Sequence, residues 1–121
     1  MSKAVITDYT FPDLSIETQI LEAVGLEVAS GQCKTQQELV TLAADADYVI
    51  TQFAPIDKDV IKSMPNCKVI VRYGIGYDNV DCEAAKKNGI PVCNIPTYCI
   101  DEVADHTLSF ILSMTRQLLA N

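Results

Sequence analysis

The residues best suited to chemistry form a short glycine loop, Gly74-Ile75-Gly76, followed by Asp78 and Asn79. The two glycines around Ile75 permit backbone conformations that let a ligand approach the main chain closely. Successive backbone N–H groups ahead of a helix can bind an anion. The residues alone leave two interpretations open: a cradle for a small carboxylate, or a tight strand-to-helix turn capped by the nearby Asp and Asn side chains.

This loop does not match the Gly-x-Gly-x-x-Gly fingerprint of a dinucleotide-binding fold. That fingerprint follows the first strand and is completed by an acidic residue about 20 positions further on. Here Asn79 takes the place of the third glycine, the loop follows the fourth apolar run, and the next run ends at Asn94. We therefore expect that this loop does not bind the pyrophosphate of a dinucleotide.

The composition limits the classes of partner. The chain has 121 residues, of which 49% are hydrophobic, and a formal net charge of −7, which fits one acidic globular domain with no basic surface for nucleic acid or an anionic membrane. Five cysteines occur without a Cys-x-x-Cys pair, beside a single histidine, so we expect no metal site. The N-terminus lacks an apolar signal core, and we expect a cytoplasmic protein with reduced thiols.

Short apolar runs alternate with helical patterns along the chain. The runs occupy residues 4–7, 26–29, 48–51, 68–71 and 91–94, and most lack polar alternation, as is typical of parallel strands buried on both faces. Right-handed crossovers between such strands predict an α/β fold, a three-layer, flavodoxin-like, five-stranded parallel sheet with flanking helices.

Helix boundaries are marked by capping residues. Thr35 and Glu38 have the spacing of a capping box. Asp57 and Asp81 are placed to cap two further short helices, and Gly89 is placed to end the second of these in a left-handed conformation.

The last segment, residues 100–121, reads as a long helix with apolar residues on several sides. Such a helix is normally buried on several sides, whereas a five-stranded domain can cover only one of them. We therefore expect a further domain or a second subunit to cover the rest, and expect the chain to form a homodimer.

Three motifs together carry a family resemblance: VRYGIGYDNVD, NGIPVCNIP and VADHTLSFIL. Over about residues 45–120 the chain resembles the D-isomer-specific 2-hydroxyacid dehydrogenases, in particular those like phosphoglycerate dehydrogenase. The resemblance implies a substrate-binding domain at residues 1–99 and an interdomain helix at 100–121, which would lead to an NAD-binding Rossmann domain beyond this sequence. The intact protein would interconvert a small 2-hydroxy acid and a 2-oxo acid with NAD.

The same resemblance assigns substrate-binding roles. The backbone N–H groups of Ile75 and Gly76, in the loop that Gly74 begins, would bind the substrate carboxylate. Tyr98 would lie over the substrate, and Cys99 takes the place of an Asn or Ser that lines the site in other branches.

For the cofactor, the resemblance places Ile75 and Val103 close to the nicotinamide. It assigns no catalytic residue to this chain, because the family's histidine, acid and arginine lie further along. We expect His106 to be structural or interdomain, and Arg72 and Arg116 to be surface or interface residues.

Two other classes of protein with this order of strands and helices do not fit the sequence. A response-regulator receiver needs an acidic pair after the first strand, but Asp8 has no paired acid, and residues 8–12 make a poor phosphate loop for flavin. The alternative within the family is an NAD-sensing corepressor of the C-terminal-binding-protein type, which would keep the same glycine loop.

Overall fold

A five-stranded parallel sheet forms the centre of the computed structural model, which describes residues 2–118. The strand order is β2-β1-β3-β4-β5. The strands are β1 (Lys3–Ile6), β2 (Glu27–Ser30), β3 (Tyr48–Thr51), β4 (Val69–Arg72) and β5 (Val92–Cys93). The predicted flavodoxin-like fold is therefore confirmed, and each predicted run agrees with its strand to within one residue at either end.

Five helices connect and flank the strands. They are α1 (Ser15–Ala23), α2 (Gln36–Ala43), α3 (Lys58–Ser63), α4 (Cys82–Lys87) and α5 (Ile100–Thr115). The predicted capping box is present, since Thr35 Oγ1 accepts from the Glu38 N–H at 3.3 Å and Glu38 Oε2 accepts from the Thr35 N–H at 2.9 Å. Asp57 and Asp81 also cap α3 and α4 as predicted, and Gly89 has a φ of +71° just beyond α4.

The hydrophobic core joins the central strands to α2 and α3. Val49 of β3 and Ile70 of β4 are fully buried, as are Leu39 of α2 and both Val60 and Met64 at α3. Full burial of each such side chain contributes about 1.5–3 kcal/mol, so this cluster fixes the positions of the strands. The edge strand β2 is by contrast only partly buried.

The carboxyl ends of β1, β3 and β4 lie beside one another. The register pairs Ile6 of β1 with Ile50 of β3, and Thr51 of β3 with Arg72 of β4. Open parallel sheets bind ligands at this edge. The residues that follow the three strands are therefore brought together where a site is expected.

Helix α5 is not covered by the rest of the described chain. None of its residues is buried, as is also true of α1, and Phe110 is 60% exposed. The expectation that the sheet would cover one side was therefore wrong. A turn follows at 116–118, and the last part of the predicted interdomain helix, 119–121, lies outside the described residues. No helix within residues 2–118 has the length and apolarity needed to cross a membrane.

Candidate functional site

The loop after β3 is organised by a buried carboxylate that follows β1. Asp8 is only 9% exposed. Its oxygens accept hydrogen bonds of 2.7–3.2 Å from the backbone N–H groups of Gln52, Phe53 and Ala54 and from the hydroxyls of Thr7 and Thr51. Burial raises the pKa of Asp8, but the hydrogen bonds, led by that of the Phe53 N–H, outweigh it and hold the pKa below its usual value.

The organised β3 loop in turn supports the glycine loop after β4. Arg72 Nε donates to the Gln52 carbonyl at 3.0 Å, and the guanidinium lies 5.6 Å from the centre of the Phe53 ring. Asn79 Nδ2 donates to the Ala54 carbonyl at 3.0 Å. Both ends of the glycine loop are thus attached to the β3 loop.

A glycine is required at the first position of the glycine loop. Gly74 has a φ of +142°, and its N–H donates to the Arg72 carbonyl at 2.9 Å. A Cβ at this position would overlap the Arg72 guanidinium. The chain turns sharply just ahead of Ile75. A residue with a Cβ would be strained in this conformation.

Two carbonyls of the glycine loop are held by residues that follow β5. The Gly74 carbonyl accepts from the Ile95 N–H at 2.9 Å, and the Ile75 carbonyl accepts from Asn94 Nδ2 at 2.8 Å. No cis peptide occurs among the described residues, and in a trans peptide the N–H points away from the carbonyl. The N–H groups of Ile75 and Gly76 therefore point away from residues 94–95.

These two N–H groups are available for a ligand. Within residues 2–118, neither the Ile75 N–H nor the Gly76 N–H donates a hydrogen bond to another group of the chain. Both residues are exposed, Ile75 by 39%. Two adjacent exposed donors next to a fixed turn can bind the oxygens of a carboxylate.

A cleft of about 260 Å³ lies beside the glycine loop. Its lining comprises Phe11, Gln52, Tyr73, Gly74, Ile95 and Tyr98. The structure thus brings Gly74 and Tyr98, two of the predicted site residues, to one cleft. Gln52 adds a buried side chain whose Nε2 donates to Thr10 Oγ1 at 3.0 Å and whose Oε1 has no partner within residues 2–118.

Tyr73 forms an apolar wall of the cleft. Its ring meets the Phe11 ring edge to face, with centroids 5.2 Å apart, and its hydroxyl donates to Glu17 Oε1 at 3.1 Å. Burial, together with the nearby Glu17 carboxylate, raises the pKa of Tyr73 well above its usual value. The phenol is thus neutral at physiological pH and serves as a support.

Two predicted site residues, Cys99 and Val103, lie at the start of α5, and neither lines this cleft as the structure describes it. Cys99 is partly buried, and its carbonyl accepts from the Val103 N–H at 3.0 Å. The Val103 side chain is 58% exposed. Their contacts with substrate and nicotinamide stay predictions.

His106 and Arg116, which the sequence analysis placed outside the substrate site, both lie at the C-terminal end of the described chain. The exposed His106 ring meets the Phe110 ring edge to face, with centroids 4.5 Å apart, so it is held on α5. Arg116 follows α5 in the terminal turn. In the part of the chain that the structure describes, no three His, Cys, Asp or Glu side chains could together hold a metal ion.

The described residues do not form a dinucleotide site by themselves. Asn79 stands where a third glycine would let a pyrophosphate approach, and its side chain is occupied by the Ala54 carbonyl. The side chains of Ile75 and Val103 are apolar. This loop therefore lacks the third glycine that lets the pyrophosphate of a dinucleotide approach, and contact of Ile75 and Val103 with a nicotinamide stays a prediction.

Comparison with known proteins identifies the family of this chain. Residues 5–121 match the family model described as D-isomer specific 2-hydroxyacid dehydrogenase, catalytic domain. The chain belongs to this family. The resemblance stated from the sequence motifs is thereby confirmed.

Two enzymes are among the relatives of this chain. D-3-phosphoglycerate dehydrogenase of Methanocaldococcus jannaschii is 38% identical over 120 residues, which are 98% of this chain and 22% of that protein. Glyoxylate reductase of Pyrococcus furiosus is 31% identical over 85 residues, which are 69% of this chain and 25% of that protein. The chain thus spans about a quarter or less of the length of these relatives.

A solved structure shows the same fold. The NAD⁺-bound 3-phosphoglycerate dehydrogenase of Entamoeba histolytica superimposes with a TM-score of 0.80 at 30% identity, and the match covers 93% of this chain and 39% of that one. This family member binds NAD⁺.

Sequence reasoning missed two residues that shape the site. The network around Asp8 was not predicted, because the three backbone N–H groups that it binds lie 44–46 residues further along the chain. In the sequence, Asn94 ends the fifth apolar run and lies within the NGIPVCNIP motif, and its place in that motif is the one signal that points to it.

Proposed function

We propose that this chain is the substrate-binding domain of an NAD-dependent oxidoreductase that interconverts a small 2-hydroxy acid and a 2-oxo acid, in the manner of phosphoglycerate dehydrogenase. The glycine loop binds the carboxylate of the substrate. The observation that carries the proposal is the pair of free N–H groups at Ile75 and Gly76, in a chain that belongs to the 2-hydroxyacid dehydrogenase family.

The proposed chemistry divides between this chain and a second domain. In the oxidation, a hydride leaves C2 of the hydroxy acid for the nicotinamide ring, and the hydroxyl proton passes to a base. Within this chain we assign carboxylate binding to Ile75 and Gly76, with Gly74 forming the turn. The acid–base group, the arginine and most of the NAD contacts belong to the second domain.

Further roles are assigned to residues around the cleft. Tyr98 is proposed to cover the substrate and Cys99 to line the site beside it. Ile75 and Val103 are proposed to contact the nicotinamide. Tyr98 is supported by its place in the same cleft as Gly74. Cys99 is supported by its position between Tyr98 and the start of α5, and Val103 by its position on the first turn of that helix.

We further propose that residues 1–99 form the substrate-binding domain, that 100–121 form an interdomain helix, and that the intact protein is a cytoplasmic homodimer. The support is helix α5, on which the apolar side chains of Val103, Leu108 and Phe110 are all more than half exposed. An apolar surface of this kind is typical of an interface.

The proposal is tested by titrating the ¹⁵N-labelled chain with oxamate, an unreactive isostere of a 2-oxo acid, and recording amide chemical shifts. We expect the Ile75 and Gly76 resonances to move the most. The matched control is oxamide, which has the same shape without the carboxylate and should move them little. Equal responses to both ligands, or no response of these two amides, would contradict the proposal.

A kinetic experiment tests the division between domains. We expect the chain alone to show no oxidation of NADH with pyruvate or glyoxylate, because hydride transfer requires both reactants to be held in contact. Measurable turnover by the purified chain would show that the catalytic groups had been assigned to the wrong part of the protein.

A further inference from the structure

The side chain of Asn94 contacts the backbone of the glycine loop in a way that bears on anion binding. Its Nδ2 donates to the Ile75 carbonyl at 2.8 Å. That carbonyl belongs to the same peptide group as the Gly76 N–H. Because the peptide is planar and trans, holding its oxygen on one side directs its N–H to the other side.

The neighbouring peptide group is held from the same direction but by different chemistry. The Gly74 carbonyl accepts from the backbone N–H of Ile95 at 2.9 Å, and this peptide group contains the Ile75 N–H. A side chain therefore sets the direction of one donor, and the main chain sets the direction of the other. Only the first can be removed by shortening or replacing a side chain without placing a proline in the backbone.

No other side chain holds the peptide between Ile75 and Gly76 within residues 2–118. Gly76 is exposed, and a Cβ there would meet only Asp78 Oδ1 at 3.3 Å, so packing leaves this peptide free to rotate. A flexible peptide loses conformational entropy when it binds a ligand, whereas a pre-oriented one has lost it already.

We propose that Asn94 is a positioning residue for anion binding: its side-chain amide holds the Ile75 carbonyl and thereby directs the Gly76 N–H toward the substrate carboxylate. This inference rests on the proposed function. Asn94 itself donates to the protein and does not touch the ligand. Its effect should therefore be seen at one of the two donors.

The experiment compares Asn94→Leu with the unchanged chain in the oxamate titration. Because one of the two donors is then no longer directed at the charged ligand, we expect oxamate to bind about tenfold more weakly to this variant. We also expect the ligand-induced shift to fall at Gly76 and to be largely retained at Ile75, whose peptide is still held by Ile95. A general structural defect would reduce both shifts together.

Asn88→Leu is the matched control. Asn88, which follows the end of α4, also donates through Nδ2 to a backbone carbonyl at 2.8 Å, that of Ala84 within the helix. We expect this variant to bind oxamate as the unchanged chain does. Asn94→Asp serves as a second variant of nearly the same shape, and its carboxylate would repel the Ile75 carbonyl, so binding should again weaken.

The outcomes separate the two proposals. If the unchanged chain shows oxamate-dependent shifts at Ile75 and Gly76 but both Asn94 variants bind equally well, the positioning role is wrong and the carboxylate cradle stands. If the unchanged chain shows no such shifts, the cradle itself is wrong, and the role of Asn94 falls with it. If the Asn94 variants bind oxamate more weakly and lose the ligand-induced shift mainly at Gly76, the carboxylate cradle and the positioning role of Asn94 are both supported.

Discussion

The glycine loop and helix α5 both expose apolar side chains, but they are held in opposite ways. Carbonyls of the loop accept hydrogen bonds from Asn94 and Ile95, and its two ends are attached to the β3 loop. Helix α5 has no buried residue. The comparison shows that exposure alone does not identify a binding site. Pre-oriented donors favour the binding of a small anion, whereas an exposed apolar surface is typical of an interface with another domain or subunit.

The largest effect in this comparison should come from the carboxylate behind the loops. We expect Asp8→Asn to lower the free energy of unfolding by about 3 kcal/mol, because several buried N–H and hydroxyl donors lose a charged acceptor. The measurement is urea unfolding of the two chains at pH 7. Asp13→Asn, an exposed carboxylate at the start of α1, is the control and should change stability far less.

The pH dependence of Asp8 sharpens this prediction. Its pKa is lowered in the folded state from a reference of 3.8, so its stabilisation is fully present above about pH 4 to 5 and is lost as the pH falls through the lower folded pKa. The stability difference between the unchanged chain and Asp8→Asn should therefore shrink in acid. A difference that is constant down to pH 2 would contradict the assignment.

The next largest effect concerns the turn that begins the loop. We expect Gly74→Ala to cost about 2 kcal/mol of stability, since alanine at a φ of +142° is strained and its Cβ would displace the Arg72 guanidinium. Gly76→Ala is the comparison, because no strained φ is required there and the only close contact is with Asp78. Equal unfolding midpoints for both variants would argue against the described turn.

A smaller effect is expected at the wall of the cleft. Tyr73→Phe removes the hydrogen bond to Glu17 and should cost about 1 kcal/mol at pH 7. The raised pKa of Tyr73 also predicts a pH dependence. The stability that neutral Tyr73 contributes is fully present below its unfolded pKa of about 10 and is lost as the pH rises above that value. The unchanged chain should thus lose stability above pH 10 more steeply than Tyr73→Phe in the same unfolding measurements.

The smallest effect on stability should come from α5. We expect the double variant Phe110→Asp and Met114→Asp to change the free energy of unfolding by less than about 0.5 kcal/mol, because both side chains are exposed. Its effect should instead be on self-association of the chain, measured by sedimentation velocity. The matched control is Ser109→Asp with Ser113→Asp, which adds the same charge at the same spacing and removes no apolar surface. Identical association of all three proteins would show that this face is not an interface.

Much of the fold could be predicted because its signals are local. The capping box at Thr35 and the aspartate caps at Asp57 and Asp81 lie within a few residues of the groups that they bind. The apolar runs marked the strands, and their order predicted the sheet. The motifs around Gly74 and Asn94 indicated the family, which the family model confirmed.

The parts that could not be predicted depend on residues far apart in the chain. Nothing near Asp8 in the sequence reveals that residues 52–54 will surround it. The peptide group that carries the Gly76 N–H is held by a side chain 19 positions beyond Ile75, and the one that carries the Ile75 N–H is held by the main chain of Ile95. For α5, the apolar pattern predicted burial, but the sheet provides no covering surface for it.

The ring of donors around Asp8 also has a consequence for the order of events as the chain is made. Its members are separated from Asp8 by up to 46 positions, so the ring cannot close until Ala54 has been synthesised and β3 has joined β1. Contacts across such separations form late, because the entropy of closing the intervening segment must be lost first. The β3 loop and the glycine loop should therefore become ordered only after the central strands assemble, and in a nascent chain that ends before β3 the Asp8 carboxylate would be solvated.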